Sequence, residues 1–233
     1  MSHPSSAPAR PVLDTADSAV ALVTTVRCDG PRWQRAVAEA LTRETRERND
    51  WPDGLMSLTV YVDGQEETVL VYTQWATRRR LTEALEGPES AAWRGDVDAV
   101  EGALQAQAIP FRHYRTVRGS AVSEPVPLPE SFPVAFFDTA DEDAARAWLD
   151  GLLASEERTE GEDRAYPGAV AAHLSISLDG TKVLSFSEWL SEEQAAAHIA
   201  AVWEPVLKEL GGTGKLYRHF STVFASNTDP RPR

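Results

Sequence analysis

His173 is followed at alternate positions by Ser175 and Ser177, and Trp189 is followed nine residues later by His198. These residue types suit proton transfer with a bound ligand. A histidine that is neutral near pH 7 can accept a ligand's proton. His173 and His198 are the candidate bases. The Trp189 indole can stack on a ligand's ring, while Ser175, Ser177, Ser185 and Ser187 can hold its oxygens. Arg218 offers a guanidinium to an anionic or phenolate oxygen. Each also has a plain structural role. Trp189 can be a core aromatic at a strand end, His173 a hydrogen-bonded core histidine, His198 a surface residue and Arg218 the partner of a nearby acid.

The elements that would carry these groups come in two copies. PDGLMSLTVYVDGQEETVLVYTQW (52–75) and PGAVAAHLSISLDGTKVLSFSEW (167–189) share one plan. Each opens a strand after Pro, reverses at Asp-Gly (Asp63-Gly64, Asp179-Gly180) and closes on Trp. Asp-Gly between alternating strands signals a hairpin because both residues tolerate positive φ. Upstream of each hairpin lies a β-rich run, VALVTTVRC (20–28) or FPVAFFDT (132–139), then an amphipathic helix. Trp33, Val37, Ala40 and Leu41 share one helix face, and Ala145, Trp148, Leu149 and Leu152 the other. Downstream come a second helix and a strand bearing RHYRTV (112–117) or RHFSTV (218–223). Each copy is therefore β-α-β-β-α-β, the ferredoxin-like order. The expected boundaries are a disordered tail at 1–18, domains at 19–117 and 132–225, a Pro-rich linker at 118–131 and a tail at 226–233.

Period-two alternation sorts the strand faces. Ala172, Leu174, Ile176 and Leu178 share one face of their strand, and His173, Ser175 and Ser177 the other. On the return strand Val183, Ser185, Ser187 and Trp189 stand together. The expectation is one apolar face and one face of Ser, His and Trp. The first copy has Ser57, Thr59, Tyr61, Val71, Thr73 and Trp75 at matching positions, with Tyr61 and Trp75 as its candidate ligand contacts. Buried hydroxyls left unpaired are costly, about 1–3 kcal/mol each. A row of them is expected to face a pocket in the second copy. In the final strands alternation sets Arg112, Tyr114 and Thr116 opposite His113, and Arg218, Phe220 and Thr222 opposite His219.

Composition narrows the classes. The 233 residues carry a net charge of −13, which argues against nucleic acid and anionic membrane surfaces as partners. No apolar run approaches the roughly 20 residues of a membrane span. Cys28 is the single cysteine, so no intrachain disulfide is expected and a reducing cytoplasm fits; its thiol reads as inert. Dinucleotide fingerprint, Walker loop, H-E-x-x-H and G-x-S-x-G are missing, and no two histidines have metal-ligand spacing. No metal or bound cofactor is expected.

Both hairpins with their following helices, YTQW-ATRRRLTEAL (72–85) and FSEW-LSEEQAAAHI (186–199), resemble the antibiotic biosynthesis monooxygenase family. In that family a strand ending in Trp leads into a helix start, often with His nine or ten residues on. Trp189 and His198 match this, whereas the step from Trp75 lands on Ala84. The resemblance implies an α+β fold of two tandem ferredoxin-like (βαββαβ) domains forming an intrachain pseudo-dimeric α+β barrel, with a further homodimer left open. It implies oxygen chemistry on an aromatic polyketide-type or other phenolic substrate, with dioxygen and often without metal or flavin. A haem-binding or haem-degrading role, an externally supplied reduced flavin and a non-catalytic binding role are the alternatives. Quinone-forming members carry Asn four residues before the Trp; Val71 and Ser185 stand there in this chain.

Overall fold

A computed structural model of the chain describes residues 13, 18–47, 51–87, 102–121, 127–158, 166 and 168–225. Apart from residues 13 and 18, both expected tails lie outside the described residues, as do 122–126 of the linker. The elements are β1 Val20–Cys28, α1 Pro31–Glu47, β2 Leu55–Asp63, β3 Thr68–Trp75, α2 Arg78–Glu86 and β4 Ala103–Arg118. They continue as β5 Phe132–Asp138, α3 Glu142–Arg158, β6 Ala169–Ser177, β7 Lys182–Trp189 and α4 Glu192–His198. A π-helical turn, Ile199–Trp203, then leads into α5 Glu204–Leu210 and β8 Gly212–Phe224. The fold class is the expected one, α+β with two tandem ferredoxin-like units.

One unit comprises residues 1–108 with 219–233, the other 109–218. Within the first the strand order is β4-β1-β3-β2-β8, and within the second β8-β5-β7-β6-β4. Both divisions fall inside a strand, after Ala108 in β4 and after Arg218 in β8. The sequence reading placed each final strand wholly in its own copy. Instead, Phe111–Arg118 of β4 pair with Ala171–Ser177 of β6, in the second unit. Length makes this possible: β4 has 16 residues and β8 has 13, against 7 to 9 in the other strands.

In the second unit Asp141 Oδ1 accepts the Ala144 amide at 2.8 Å and starts α3, whose first turn carries Glu142 and Asp143. Ala145, Leu149 and Leu153 of α3 are buried against Ala135, Phe137, Leu174, Ile176 and Val183 of the sheet. The first unit repeats this with Val37, Ala38 and Leu41 on Val26, Leu58, Val60, Val69 and Val71.

Two turns correct the simple hairpin picture. In the first copy the ladder's last pair is Val62 with Val69, and positive φ falls on Glu66 (60°), not on Gly64. The Asp63 carboxylate accepts from the Glu67 amide and the Thr68 hydroxyl, so its side chain shapes this longer loop. In the second copy Gly180 takes φ 76°, while Asp179 accepts from Ser177 Oγ and the Thr181 amide.

Candidate functional site

The second unit's hairpin decides which side chains meet. Leu174 lies across from Ser185 and Ala172 across from Ser187, whereas His173 faces Phe186 and Ser175 faces Leu184 in the ladder. Directly opposed residues share a face. Odd positions of β6 therefore stand with even positions of β7, and the expected common face of His173, Ser175, Ser177, Ser185, Ser187 and Trp189 does not exist. Ser187 and Trp189 lie on the helix-covered face with Ala172 and Leu174. His173, Ser175 and Ser177 lie on the other. The sequence reading sorted each strand correctly and joined the two with the wrong parity.

A cavity of about 110 Å³ opens on the helix-covered side. Its floor is Ala172, Leu174, Ser187 and Trp189, and its walls include Val117, Leu152, Tyr166, His198, Val202 and Trp203. Two backbone features set its corner. Ser191 caps α4 by accepting the Gln194 amide, as Thr77 caps α2 by accepting from Arg80. Each cap follows two residues after its strand-terminal Trp. Beyond α4, the π turn wraps so that the Glu204 amide donates to the Ile199 carbonyl, five residues back.

His198 is enclosed by aromatic rings. Its centroid lies 4.5 Å from Tyr166 at 75°, 4.8 Å from Trp189 at 36° and 5.7 Å from Trp203 at 83°. Burial lowers its pKa from 6.5 to about 4, so the ring is neutral at physiological pH. Its Nδ1 and the Trp189 Nε1 are buried, and neither has a hydrogen-bond partner among the described residues. Trp189 is only 3% exposed. Its counterpart in the first copy differs: Trp75 Nε1 donates to Thr73 Oγ1 at 2.9 Å. Ser187 occupies the position of Thr73 in the second copy, yet the Trp189 N–H remains open.

A second space of about 10 Å³, room for about one water, lies beside the first. Ser185, Ile199, Leu207, Gly214 and Trp203 line it, so Trp203 borders both. The Ser185 hydroxyl is also buried, with no partner among the described residues.

The remaining candidates fall elsewhere. His173 Nδ1 is 3.1 Å from Thr116 Oγ1, and its Nε2 is 3.5 Å from a Glu188 carboxylate oxygen. That pair lies on the far side of the sheet from the cavity, so His173 cannot act on a ligand there. Ser177 donates to Asp179 and accepts from the Lys182 amide, which assigns it to the turn. Ser175 is buried on the His173 face. Arg218 forms an exposed ion pair with Glu192 and does not line either space. In the first unit Trp75 is core, and Tyr61 sets its ring edge-on to His219 at 5.9 Å. Strict alternation also fails in β4. A bulge between His113 and Arg115 puts His113 and Thr116 on one side, their side chains 3.3 Å apart. His219 and Thr222 make the matching contact at 2.8 Å.

Tyr166 and Trp203 belong to the site but were not singled out from the sequence. In an α-helix a residue five beyond His198 lies about 140° around the axis. Only the π turn returns Trp203 to the His198 side, and helical periodicity gives no sign of it.

No family model matches the sequence, and no curated protein matches it. Solved structures do. The chain is similar to an anthrone oxidase-like protein at TM-score 0.72 and 15% identity, covering 93% of this chain and 98% of that one. A candidate monooxygenase from Fusobacterium nucleatum subsp. nucleatum is similar at TM-score 0.57 and 9% identity, over 90% and 96%. A third, a candidate monooxygenase from Lactobacillus acidophilus, has TM-score 0.53 and 8% identity, over 88% and 96%. At these identities the likeness shows the fold alone.

Proposed function

We propose that the second unit holds an oxygenase site for a phenolic small molecule of secondary metabolism, working without metal or bound cofactor. One observation carries this reading: Trp189 and His198 line the same aromatic-walled cavity, and the buried indole N–H of one and a buried neutral imidazole nitrogen of the other have no partner among the described residues. Leaving such groups unsatisfied costs about 1–3 kcal/mol each, a cost a ligand with both a donor and an acceptor removes. A phenol has both. Its hydroxyl donates to His198 Nδ1 while an oxygen accepts from Trp189 Nε1, with the ring against the Trp203 and Trp189 indoles.

The electrons come from the substrate. In the simplest case, a phenol and dioxygen give a quinone and water: one oxygen atom joins a ring carbon, and the other leaves as water with that carbon's hydrogen and the hydroxyl hydrogen. His198 starts this by drawing on the phenolic proton. With its pKa near 4 against about 10 for a phenol, complete transfer in the ground state is uphill by about 8 kcal/mol. Its part is therefore to hold and polarise the O–H, and the proton follows as electron density moves to oxygen.

Haem does not fit the residues present. The aromatic rings close on His198 and leave about 110 Å³, whereas an engineered cavity of roughly 150 Å³ holds a single benzene ring. The test is oxygen uptake with a panel of phenols, measured above the buffer rate. His198→Phe is expected to lower kcat/KM by about 100-fold, within the range for a lost proton-transfer group, and His173→Ala to leave it within about threefold. Unchanged uptake in His198→Phe would sink the proposal, and binding without uptake would favour a non-catalytic binding protein.

A further inference from the structure

Resting on that reading, we infer that the site takes a single-ring phenol and that Trp203 is the residue that enforces the limit. Three observations meet in this. The space at Trp189 and His198 is about 110 Å³, comparable to a cavity of roughly 150 Å³ that accepts benzene and too small for fused rings. Trp203, which lines it, also lines a second space of about 10 Å³. Ser185, which lines that second space, is 2% exposed, and its hydroxyl has no partner among the described residues.

Trp203 holds its place for identifiable reasons. It is 7% exposed and packs its ring 5.1 Å from Phe137 and 5.7 Å from His198. It ends the π turn, so its direction is fixed by the extra residue in the helix and not by rotamer choice alone. A straight α-helix would carry residue 203 away from the cavity. The turn thus sets the size of the site while His198 and Trp189 set its polarity. Removing the indole would join the spaces and place Ser185 where a second ring's substituent could reach it.

The test reads binding, so it is independent of turnover. Phenol and 1-naphthol are titrated into the full-length protein by calorimetry. Wild type is expected to bind phenol and to bind 1-naphthol at least tenfold more weakly. Trp203→Leu is expected to reverse the order, through gained naphthol affinity. Equal binding of both by wild type, or a Trp203→Leu protein that keeps the preference for phenol, would overturn the inference. Should Trp203→Leu not fold, Trp203→Phe, which keeps an aromatic ring in the core, is expected to narrow the preference at least threefold; an unaltered ratio there would also contradict it. Failure of the oxygenase reading alone would show as phenol binding without oxygen uptake.

Discussion

His198 is the residue on which chemistry and stability meet. Its folded pKa, near 4, lies below its unfolded value of 6.5, so the unfolded chain binds this proton more readily. Stability is then complete above about pH 6.5, falls as pH drops toward 4, and loses nothing further from this group below that. The shift corresponds to a loss on the order of 2 kcal/mol after allowing for the ring's partial access to solvent. His219, also lowered by burial, acts in the same direction. Urea titrations at pH 7.0 and 4.5 are expected to show this loss in wild type and about half of it or less in His198→Phe; equal losses in the two proteins would remove His198 from the account. A histidine nine residues after a Trp was visible in the sequence, but its enclosure was not, because Tyr166 and Trp203 reach it from a neighbouring loop and an irregular turn. Cys28 was legible as inert. Burial first, then the Asp63 charge, raises its pKa to about 11.

At the scale of elements, the hairpins and helix faces were readable because each rests on local chemistry: alternation, Asp-Gly between strands, apolar residues at helical spacing. What escaped was the joining of elements. The parity across the β6–β7 turn moved His173 to the far face, the bulge in β4 brought His113 beside Thr116, and the charge of Arg218 was already answered by Glu192. A further bulge, between Ala169 and Ala171, starts β6 just above the cap of α4. Gly168 sits there with φ 89°, and a Cβ on it would come within 2.0 Å of the Gln194 side chain. Its carbonyl accepts the Leu190 amide at 2.9 Å, fixing the step from Trp189 into α4. Gly54 repeats the arrangement, with φ 84° and its carbonyl accepting the Ala76 amide. Gly168→Ala is expected to lower stability by about 1–2 kcal/mol, the penalty for an alanine in this backbone region, read as a shift in the urea midpoint. A midpoint unchanged within error would show that the corner under the site is not held by this glycine.

Across the whole molecule, the two halves share an order of elements and differ in their chemistry. Both copies end their hairpins in Trp, cap the next helix two residues later and start the preceding strand at a left-handed glycine. Their internal symmetry was legible because repeated local patterns survive divergence. The asymmetry was half legible: Ala84 stands where the second copy has His198, but the self-satisfied Trp75–Thr73 pair depends on side-chain geometry. The account's central claim is that one of the two copies keeps an open indole for a ligand. Among the chain's seven tryptophans, the Trp189 Nε1–H is the donor expected to respond. The direct measurement is a ¹H–¹⁵N correlation spectrum of the indole region during a phenol titration, with Trp189→Phe and Trp75→Phe used to assign the two peaks. The Trp189 peak is expected to move downfield and saturate while the Trp75 peak stays in place. A stationary Trp189 peak at saturating phenol, or equal movement of both, would contradict the account.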